Sequence, residues 1–181
     1  MKDVTFITGN QNKANYLFRL LGFPLKHARL DLDEIQSLDL KEIVEHKARQ
    51  GYEKVKTPVI VEDVSLEFMA YGRLPGTFIK FFIEEVPLEI ICSMLNGKTR
   101  KSTARCVFGY FDGKDYTGFE SELEGEIAET PSGEKGFGWD RIFIPKGYSN
   151  TRASLSEEDN DKTYLQIKPI AQLKTFLISK V

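Results

Sequence analysis

The chain of 181 residues is long enough to bury one core, so we expect a single domain over residues 1–181. Its formal net charge is -2 and its 25 lysines and arginines are scattered, which argues against nucleic acid as a partner because phosphate-backbone binding needs a basic face. No apolar run reaches the length of a membrane span, and the first residues enter a strand-like run without a signal peptide, so we expect a cytoplasmic protein with no membrane partner.

The first third of the chain alternates strand and helix patterns. The strand-like runs are short, apolar and β-branched, and the helix-like runs place their apolar residues on one face. Gly22 is expected to end the first helix, and Glu62 and Asp63 are expected to end the second strand. The predicted elements are strands over 4–7 and 58–61 and helices over 13–21 and 38–56.

The remainder predicts a long hairpin between helical segments. A loop rich in glycine and proline at 72–76 precedes two short helices, and a turn at 112–114 joins two strand-like runs. The other predicted elements are strands over 103–112, 115–128 and 141–144, a glycine-rich loop over 131–138, and a closing helix over 164–179 with Pro169 in its first turns or at a kink. This order predicts a mixed α/β fold with helices flanking a mixed sheet.

The joint between the first strand and the first helix is the first candidate ligand site. A helix N-terminus offers backbone N–H groups and a positive dipole end, Gly9 allows close backbone approach, and Lys13 adds a full charge one turn in. The alternative is an ordinary tight turn in which Asn10 or Asn12 caps the helix and Lys13 is solvated. The loop is not a Walker A motif, because GxxxxGK[ST] is absent.

The second candidate is the acidic pair Glu62 and Asp63 directly after a buried strand, where ligands of open α/β sheets gather. Neighbouring residues of an extended chain point to opposite faces, so one carboxylate is expected to face the ligand crevice. A carboxylate there suits Mg²⁺, a hard cation that prefers oxygen ligands, and Glu34 is a second candidate carboxylate. The alternative is a pair of solvated loop acids.

Two further loops carry candidate residues. Lys80 follows the shaped loop at 72–76, although this segment taken by itself favours the alternative, a surface turn before an amphipathic helix. In the segment 136–140, Phe137 and Trp139 alternate with glycines, which exposes ring faces on which bases stack. The alternative is that both aromatic rings fill the core.

Taken in order, these segments resemble the inosine triphosphate pyrophosphatase family, also called the Ham1 or non-canonical purine NTP pyrophosphatase family. The matching stretches run from residue 6 to about 145 with family-like spacing. They are Phe6-Ile7-Thr8-Gly9-Asn10 with Lys13, Glu34-Ile35-Gln36, Lys47-Ala48, Val59-Ile60-Val61-Glu62-Asp63, Leu74-Pro75-Gly76 with Ile79-Lys80, and Gly136-Phe137-Gly138-Trp139-Asp140 with Ile142-Phe143.

The resemblance implies an elongated mixed α/β fold with two lobes around a central cleft, and a homodimer. It implies hydrolysis of ribo- or deoxyribonucleoside triphosphates, typically ITP and XTP, to the monophosphate and pyrophosphate with Mg²⁺, or with Mn²⁺ in its place. Asp63, Lys13 and Lys47 would be catalytic. The other implied roles are phosphate binding by Thr8, Asn10, Lys13 and Lys80, metal binding by Glu34 and Asp63, and base binding by Phe137, Trp139 and Asp140.

The C-terminal segment departs from the family pattern. The family carries Glu-Lys-Asn and then Ser-His-Arg, whose His and Arg contact the purine 6-oxygen. Aligned on Leu155 and Leu173, this chain has Asp-Asn-Asp at 159–161 and Tyr-Leu-Gln at 164–166. Gln166 can both donate and accept hydrogen bonds, so we count it among the substrate-binding residues. We therefore expect altered or relaxed base specificity, because discrimination depends on paired hydrogen-bonding groups.

Two alternatives to a pyrophosphatase remain. One is a nucleotide-binding or regulatory homologue that has lost catalysis. The other is an oligomerising interaction module in which the phosphate-type residues have no joint role. Retention of two carboxylates, Glu34 and Asp63, together with three spaced lysines favours the enzyme.

Overall fold

The computed structural model describes residues 3–136 and 138–180. Within these residues the chain forms six α-helices and seven strands. The helices are α1 (Gln11–Leu21), α2 (Leu40–Val55), α3 (Ile79–Glu85), α4 (Leu88–Ser93), α5 (Glu157–Ile167) and α6 (Ile170–Ser179). The strands are β1 (Thr5–Ile7), β2 (Lys26–Ala28), β3 (Val59–Phe68), β4 (Pro75–Gly76), β5 (Lys101–Phe111), β6 (Tyr116–Ile127) and β7 (Phe143–Pro145).

The strands form one mixed sheet in the order β2-β1-β3-β5-β6-β7, with β4 paired to β3. β1 runs parallel to β2 and to β3, whereas β4 is antiparallel to β3 and β7 is antiparallel to β6. The parallel strands β1 and β3 are linked through helices, as a parallel connection requires. The predicted mixed α/β fold is therefore confirmed.

Helices α1 and α2 are set by local signals that the sequence displays. The side chain of Asn10 caps α1, and Gly22 ends the helix in the left-handed region with φ of 79°. The side chain of Asp39 caps α2. On α2, Gly51 faces β1 so closely that an added Cβ would lie 2.6 Å from Cδ1 of Ile7. A glycine there lets α2 pack directly on the first strand.

Strand β3 is longer than predicted. It does not end at Glu62 and Asp63 but continues to Phe68. The prediction was wrong because it treated two adjacent acids as a strand end, whereas lysines from α1 and α2 pair with both of them. Beyond the acids, Leu66 and Phe68 are buried and continue the alternating pattern of a strand.

The end of the chain forms two helices instead of one. The predicted helix over 164–179 is divided at Pro169, which lacks an N–H and forces an extended conformation on Lys168, with φ of -110° and ψ of 126°. Helix α5 also begins earlier, at Glu157, because the Ser156 side chain accepts a hydrogen bond from the Asp159 N–H. The strand predicted over 141–144 is shifted to β7, since a short 3₁₀ turn occupies 138–141.

The chain divides into two compact units. The first comprises residues 1–63, 106–120 and 169–181, and the second comprises residues 64–105 and 121–168. The first unit has a core cluster formed by α2 and strand residues, including Ile7, Val44, Val59 and Val61. The buried residues of the second unit include Leu66, Phe68, Ile91, Ile142 and Phe143. In the described part of the chain, no helix is long and apolar enough to span a membrane.

Candidate functional site

The loop between β1 and α1 is held by short-range hydrogen bonds. The Asn10 side-chain oxygen accepts from the N–H groups of Asn12 (2.9 Å) and Lys13 (3.3 Å). The Thr8 hydroxyl accepts from the Asn10 N–H at 3.2 Å. Asn10 is thus the helix cap that the alternative interpretation named, and two of the helix N–H groups serve this cap.

The backbone at Gly9 is open on its side-chain face. A Cβ built on Gly9 would meet no atom within 4 Å. The space above the loop is therefore able to receive a ligand group that approaches the main chain closely, which is what phosphate binding at a glycine requires.

Lys13 is drawn toward strand β3. Its Nζ lies 3.4 Å from Oε1 of Glu62, whose side chain is almost fully buried. The sheet explains the meeting, because Thr5 and Phe6 of β1 pair in parallel with Val59 and Ile60 of β3. Continuing this register places the loop after β1 beside Glu62. Lys13 is therefore a fixed charge at the loop and not a solvated lysine.

Lys47 joins the two predicted metal ligands. Its Nζ donates to Oε1 of Glu34 at 2.9 Å and to Oδ2 of Asp63 at 3.0 Å. Lys47 comes from α2, Asp63 from β3, and Glu34 from the segment before α2, so three separate parts of the sequence meet at one ammonium group. We call Lys13, Glu34, Lys47, Glu62 and Asp63 the lysine–carboxylate cluster.

The charge of Lys47 is secured by its neighbours. Burial alone lowers the pKa of a lysine, but the carboxylates of Asp63 and Glu34 outweigh it and raise the pKa of Lys47 above its usual value. Lys47 is therefore positively charged at neutral pH. A charged group that balances two carboxylates can neutralise phosphate oxygens when a ligand enters.

The donor set fits a hard divalent cation. Carboxylate oxygens of Glu34 and Asp63 approach the same ammonium group and so lie near each other. Within residues 3–136 and 138–180, no group of three or more His, Cys, Asp and Glu side chains could hold a metal on its own. Two protein carboxylates completed by water and substrate phosphate are nevertheless the usual ligand set for Mg²⁺.

The residues predicted for the second half of the site belong to the second unit. Lys80 is exposed on α3, with its Nζ 5.7 Å from the centre of the Phe81 ring. Gln166 is exposed on α5. Trp139 is buried and packs edge-on against Phe143 at 5.4 Å, as the core-filling alternative expected. Phe137 lies outside the described residues.

Asp140 is buried and pairs with Arg152, whose Nη1 lies 2.8 Å from Oδ1 of Asp140. This arginine was not among the predicted site residues, and Glu62 was named only as a member of the acidic pair, without a partner. The partner of Glu62 could have been found from its position, since an acid that faces the core needs a cation and Lys13 lies on the neighbouring strand–helix joint. For Arg152 only the tertiary fold reveals the partner.

A mixed α/β sheet with a loop open at glycine and a lysine–carboxylate cluster beside it is typical of proteins that bind phosphorylated ligands. The comparison with known proteins is more specific. Residues 4–176 match the model of the Ham1 family. The chain therefore belongs to the Ham1 family.

Individual relatives cover almost the whole chain. Inosine triphosphate pyrophosphatase 2 of Trypanosoma cruzi is 39% identical over 94% of this chain and 90% of its own length. Inosine triphosphate pyrophosphatase of Yarrowia lipolytica is 38% identical, covering 98% of this chain and 97% of its own. The solved structure of a HAM1 protein from Coxiella burnetii has a TM-score of 0.86 at 22% identity, covering 99% of this chain and 100% of that one, which shows the common fold.

Proposed function

We propose that this chain hydrolyses nucleoside triphosphates to the monophosphate and pyrophosphate. The observation that carries the proposal is the meeting of Glu34, Lys47 and Asp63, with Lys13 and Glu62 beside the open Gly9 loop. The names of the relatives from Trypanosoma cruzi and Yarrowia lipolytica support the same reaction. Phosphoanhydride cleavage depends on positioned cations and an oriented water, which is what such a cluster supplies.

The roles of the residues follow from their charge and exposure. Cleavage of the α–β anhydride forms one P–O bond from water, breaks the bridging P–O bond and passes a proton from water to a base. We assign this base to Asp63, which is held on β3 with its Oδ2 3.0 Å from Nζ of Lys47 and is less exposed than Glu34. Lys13 and Lys47 balance phosphate charge, and Thr8 and Asn10 shape the loop that receives the phosphates.

We propose Mg²⁺ as the cofactor, held by Glu34 and Asp63, with Mn²⁺ as a substitute. The cation would supply charge neutralisation on the phosphates and a Lewis acid next to the attacked phosphorus. Chelation with EDTA should abolish turnover, and added Mg²⁺ should restore it. Full activity after chelation and gel filtration would contradict the assignment.

The reaction is tested by its products. The protein is incubated with Mg²⁺ and a panel of ITP, XTP, GTP, ATP, CTP and dUTP, and the products are separated by anion-exchange chromatography. Monophosphate and pyrophosphate are expected. Diphosphate and inorganic phosphate as first products would refute the proposal, and nucleotide binding without any turnover would identify a homologue that has lost catalysis.

We also propose a homodimer, formed through the second unit. An apolar groove of about 490 Å³ lies there, and three of its lining side chains, Leu74, Phe81 and Met94, are 49%, 54% and 36% exposed. Its polar lining is sparse, since the Tyr71 hydroxyl donates to the Met94 carbonyl at 2.6 Å and Glu85 is the charged member. A small ligand needs several placed polar groups, whereas the interface of a homodimer is largely apolar.

The dimer is tested by sedimentation and light scattering at several protein concentrations. Phe81→Glu should convert the dimer to a monomer, because a buried interfacial charge without a partner is costly. Ile178→Glu is the matched control, since Ile178 is 52% exposed on α6 of the first unit. A monomeric parent protein, or a Phe81→Glu variant that remains dimeric, would refute this surface.

We propose that the protein works in the cytoplasm. Cys92 and Cys106 are buried and are not joined in a disulfide, as suits a reducing compartment. Fractionation of source cells with an antibody to the protein tests this location. Recovery in a membrane or secreted fraction would contradict it.

A further inference from the structure

Arg152 is a buried charge that the proposed chemistry does not use. Its side chain is 4% exposed and forms an ion pair with Asp140, whose side chain is 6% exposed. A charge withdrawn from water in this way is retained at a cost in desolvation, which its hydrogen bonds must offset. The partners of this guanidinium therefore indicate what the arginine does.

Every nitrogen of the guanidinium donates to a protein oxygen. Nη1 donates to Oδ1 of Asp140 at 2.8 Å, and Nε donates to the Thr163 hydroxyl at 3.2 Å. Nη2 donates to the Asn160 side-chain oxygen at 2.5 Å and to its carbonyl at 3.3 Å. We call Asp140, Arg152, Asn160 and Thr163 the Arg152 network. Because its donors are engaged, Arg152 is not placed to read a base itself.

The network fixes Arg152 from the side of helix α5. Asn160 and Thr163 both belong to α5, and Asn160 returns a hydrogen bond from its Nδ2 to the Arg152 carbonyl at 3.2 Å. The Thr163 hydroxyl donates in turn to main-chain carbonyls of the same helix. The guanidinium is thus held in one orientation, in which its Nη1 pairs with Asp140.

Asp140 is equally confined on the side of its own loop. Gly136 has φ of 76°, and a Cβ added there would lie 2.3 Å from Oδ2 of Asp140. Only a residue without a side chain allows this approach and this backbone conformation. Gly136 and the turn at 138–141, which carries Trp139, are therefore packed around a carboxylate that Arg152 orients.

We propose that Arg152 is a positioning residue for base recognition, which acts by holding Asp140 and the turn at 138–141 against α5. The inference rests on the proposed function and on the base-binding role that the family resemblance implies for Asp140. In this chain, base specificity would depend on the guanidinium of Arg152, which lies in the turn at 152–154 and acts by fixing the position of Asp140. Lysine cannot replace it, because an ammonium is a point charge without the planar fork.

The test compares a ligand that has a base with one that has none. Binding of the α,β-methylene analogue of ITP and of inorganic tripolyphosphate is measured by calorimetry for the parent protein and for Arg152→Lys. The lysine keeps the positive charge beside Asp140, since removal of one partner of a buried ion pair is strongly destabilising. Arg152→Lys should lower the affinity for the analogue about tenfold or more, which corresponds to the loss of one charged hydrogen bond. The affinity for tripolyphosphate should be unchanged.

A coupling measurement separates positioning from mere support of the fold. Asp140→Asn should lower the affinity for the analogue to a similar extent. The double variant should bind the analogue as well as either single variant does, because both changes remove the same interaction. If Arg152→Lys does not fold, Asn160→Ala, which removes one anchor of the guanidinium, should give a smaller loss for the analogue alone. Equal losses for both ligands, no loss for the analogue, or additive losses would overturn the proposal.

Arg100→Lys is the matched control. Arg100 is a partly buried arginine of the same unit whose guanidinium donates to the carbonyls of Cys92 and Ala128 and to Asn96. The Arg100→Lys variant should leave the ratio of the affinities for the two ligands unchanged. A parent protein that hydrolyses no nucleoside triphosphate would refute the proposed function. If the parent protein is active but Arg152→Lys does not change the ratio of the affinities for the two ligands, only the positioning role is refuted.

Discussion

Two charged groups of this protein, the Glu34–Lys47–Asp63 part of the lysine–carboxylate cluster and the Arg152 network, differ in their access to water. In the first, the side chains of Lys47, Asp63 and Glu34 are 13%, 22% and 44% exposed, whereas Glu62 of the same cluster is only 2% exposed. In the Arg152 network of the second unit, Arg152 and Asp140 are 4% and 6% exposed. Both contain ion pairs near 3 Å, so distance alone does not separate them.

The difference in burial indicates a difference in role. An ion pair that water reaches contributes only about 0–1 kcal/mol, so its partners can be exchanged for a phosphate or a metal ion at little cost. A buried pair cannot exchange partners, since either charge left alone is heavily penalised. Glu34, Lys47 and Asp63 are therefore suited to chemistry, and the Arg152 network is suited to holding a fixed geometry.

The comparison predicts the largest effect for the loss of the buried pair. Arg152→Met should lower the free energy of unfolding by about 3–5 kcal/mol, because Asp140 remains buried without its partner. Glu34→Gln should change it by less than about 1 kcal/mol, since Glu34 is half-exposed. Urea denaturation followed by circular dichroism measures both. Equal losses of stability would remove the distinction between the two groups.

Catalysis should show the opposite dependence. Asp63→Asn should remain folded and lose about a hundredfold or more of its turnover, the usual effect of losing a positioned base. Steady-state kinetics with the best substrate of the nucleotide panel measures the loss. Glu67→Gln, four residues further along β3, is the matched control because Glu67 faces Arg73 and Arg105 instead. Retained activity in a folded Asp63→Asn protein would refute the assignment.

The preference for one base over another should be smaller than in an enzyme with a charged side chain that contacts the purine. Such a contact contributes about 1.5–3 kcal/mol, roughly ten- to a hundredfold in preference. Leu165 cannot supply it, Gln166 is neutral, and Arg152 is engaged within the protein. We expect kcat/KM for ITP and ATP to differ by less than this, as a comparison under one set of conditions will show. A sharp ITP preference unaffected by Gln166→Ala would mean that another group reads the base.

Lys13→Ala should have a more moderate effect, raising KM and lowering kcat together by about tenfold. A cation on the phosphates stabilises both the bound substrate and the transition state, and each charged contact is worth about 1.5 kcal/mol or more. Initial-rate measurements over a substrate series separate the two constants. Lys26→Ala on β2 is the control, since Lys26 contacts the exposed Asp3. Unchanged kinetics would show that Lys13 pairs with Glu62 and does not bind the phosphates.

Gly9→Ala should give the smallest effect, a severalfold increase in KM at unchanged stability. The added methyl group has room in the protein alone, so folding is not disturbed, but it would occupy space that a phosphate needs. Thermal unfolding with and without nucleotide, together with KM, measures both parts. An unchanged KM would show that the phosphates do not approach the backbone at Gly9.

The local elements of the first unit follow closely from sequence. The cap at Asn10, the stop at Gly22 and the apolar face of α2 are signals carried by a few neighbouring residues, and the structure confirms them. The prediction failed where a local signal had a distant partner. Strand β3 continues through Glu62 because Lys13 neutralises it, and a reading of adjacent residues does not contain that lysine.

The same limit explains the C-terminal segment. Pro169 was predicted to lie in the first turns of one helix or at a kink, whereas it separates α5 from α6. The first turn of α5 was missed because its residues are acidic and lack an apolar stripe. Those acids suit the positive end of a helix dipole, and Ser156 caps it. The helix is then held by buried contacts of Thr163 and Tyr164, which depend on the fold.

The sequence alone determined the class of fold, the membership of a family, and the residue types of the lysine–carboxylate cluster, because these depend on short motifs in a fixed order. It also indicated that the C-terminal segment departs from the family pattern. Only the tertiary structure decided which charges meet. Glu34, Lys47 and Asp63 converge, Glu62 faces Lys13, and Arg152 holds Asp140. Charge pairing depends on distances and burial across distant parts of the chain, and the packing of strands and helices sets both.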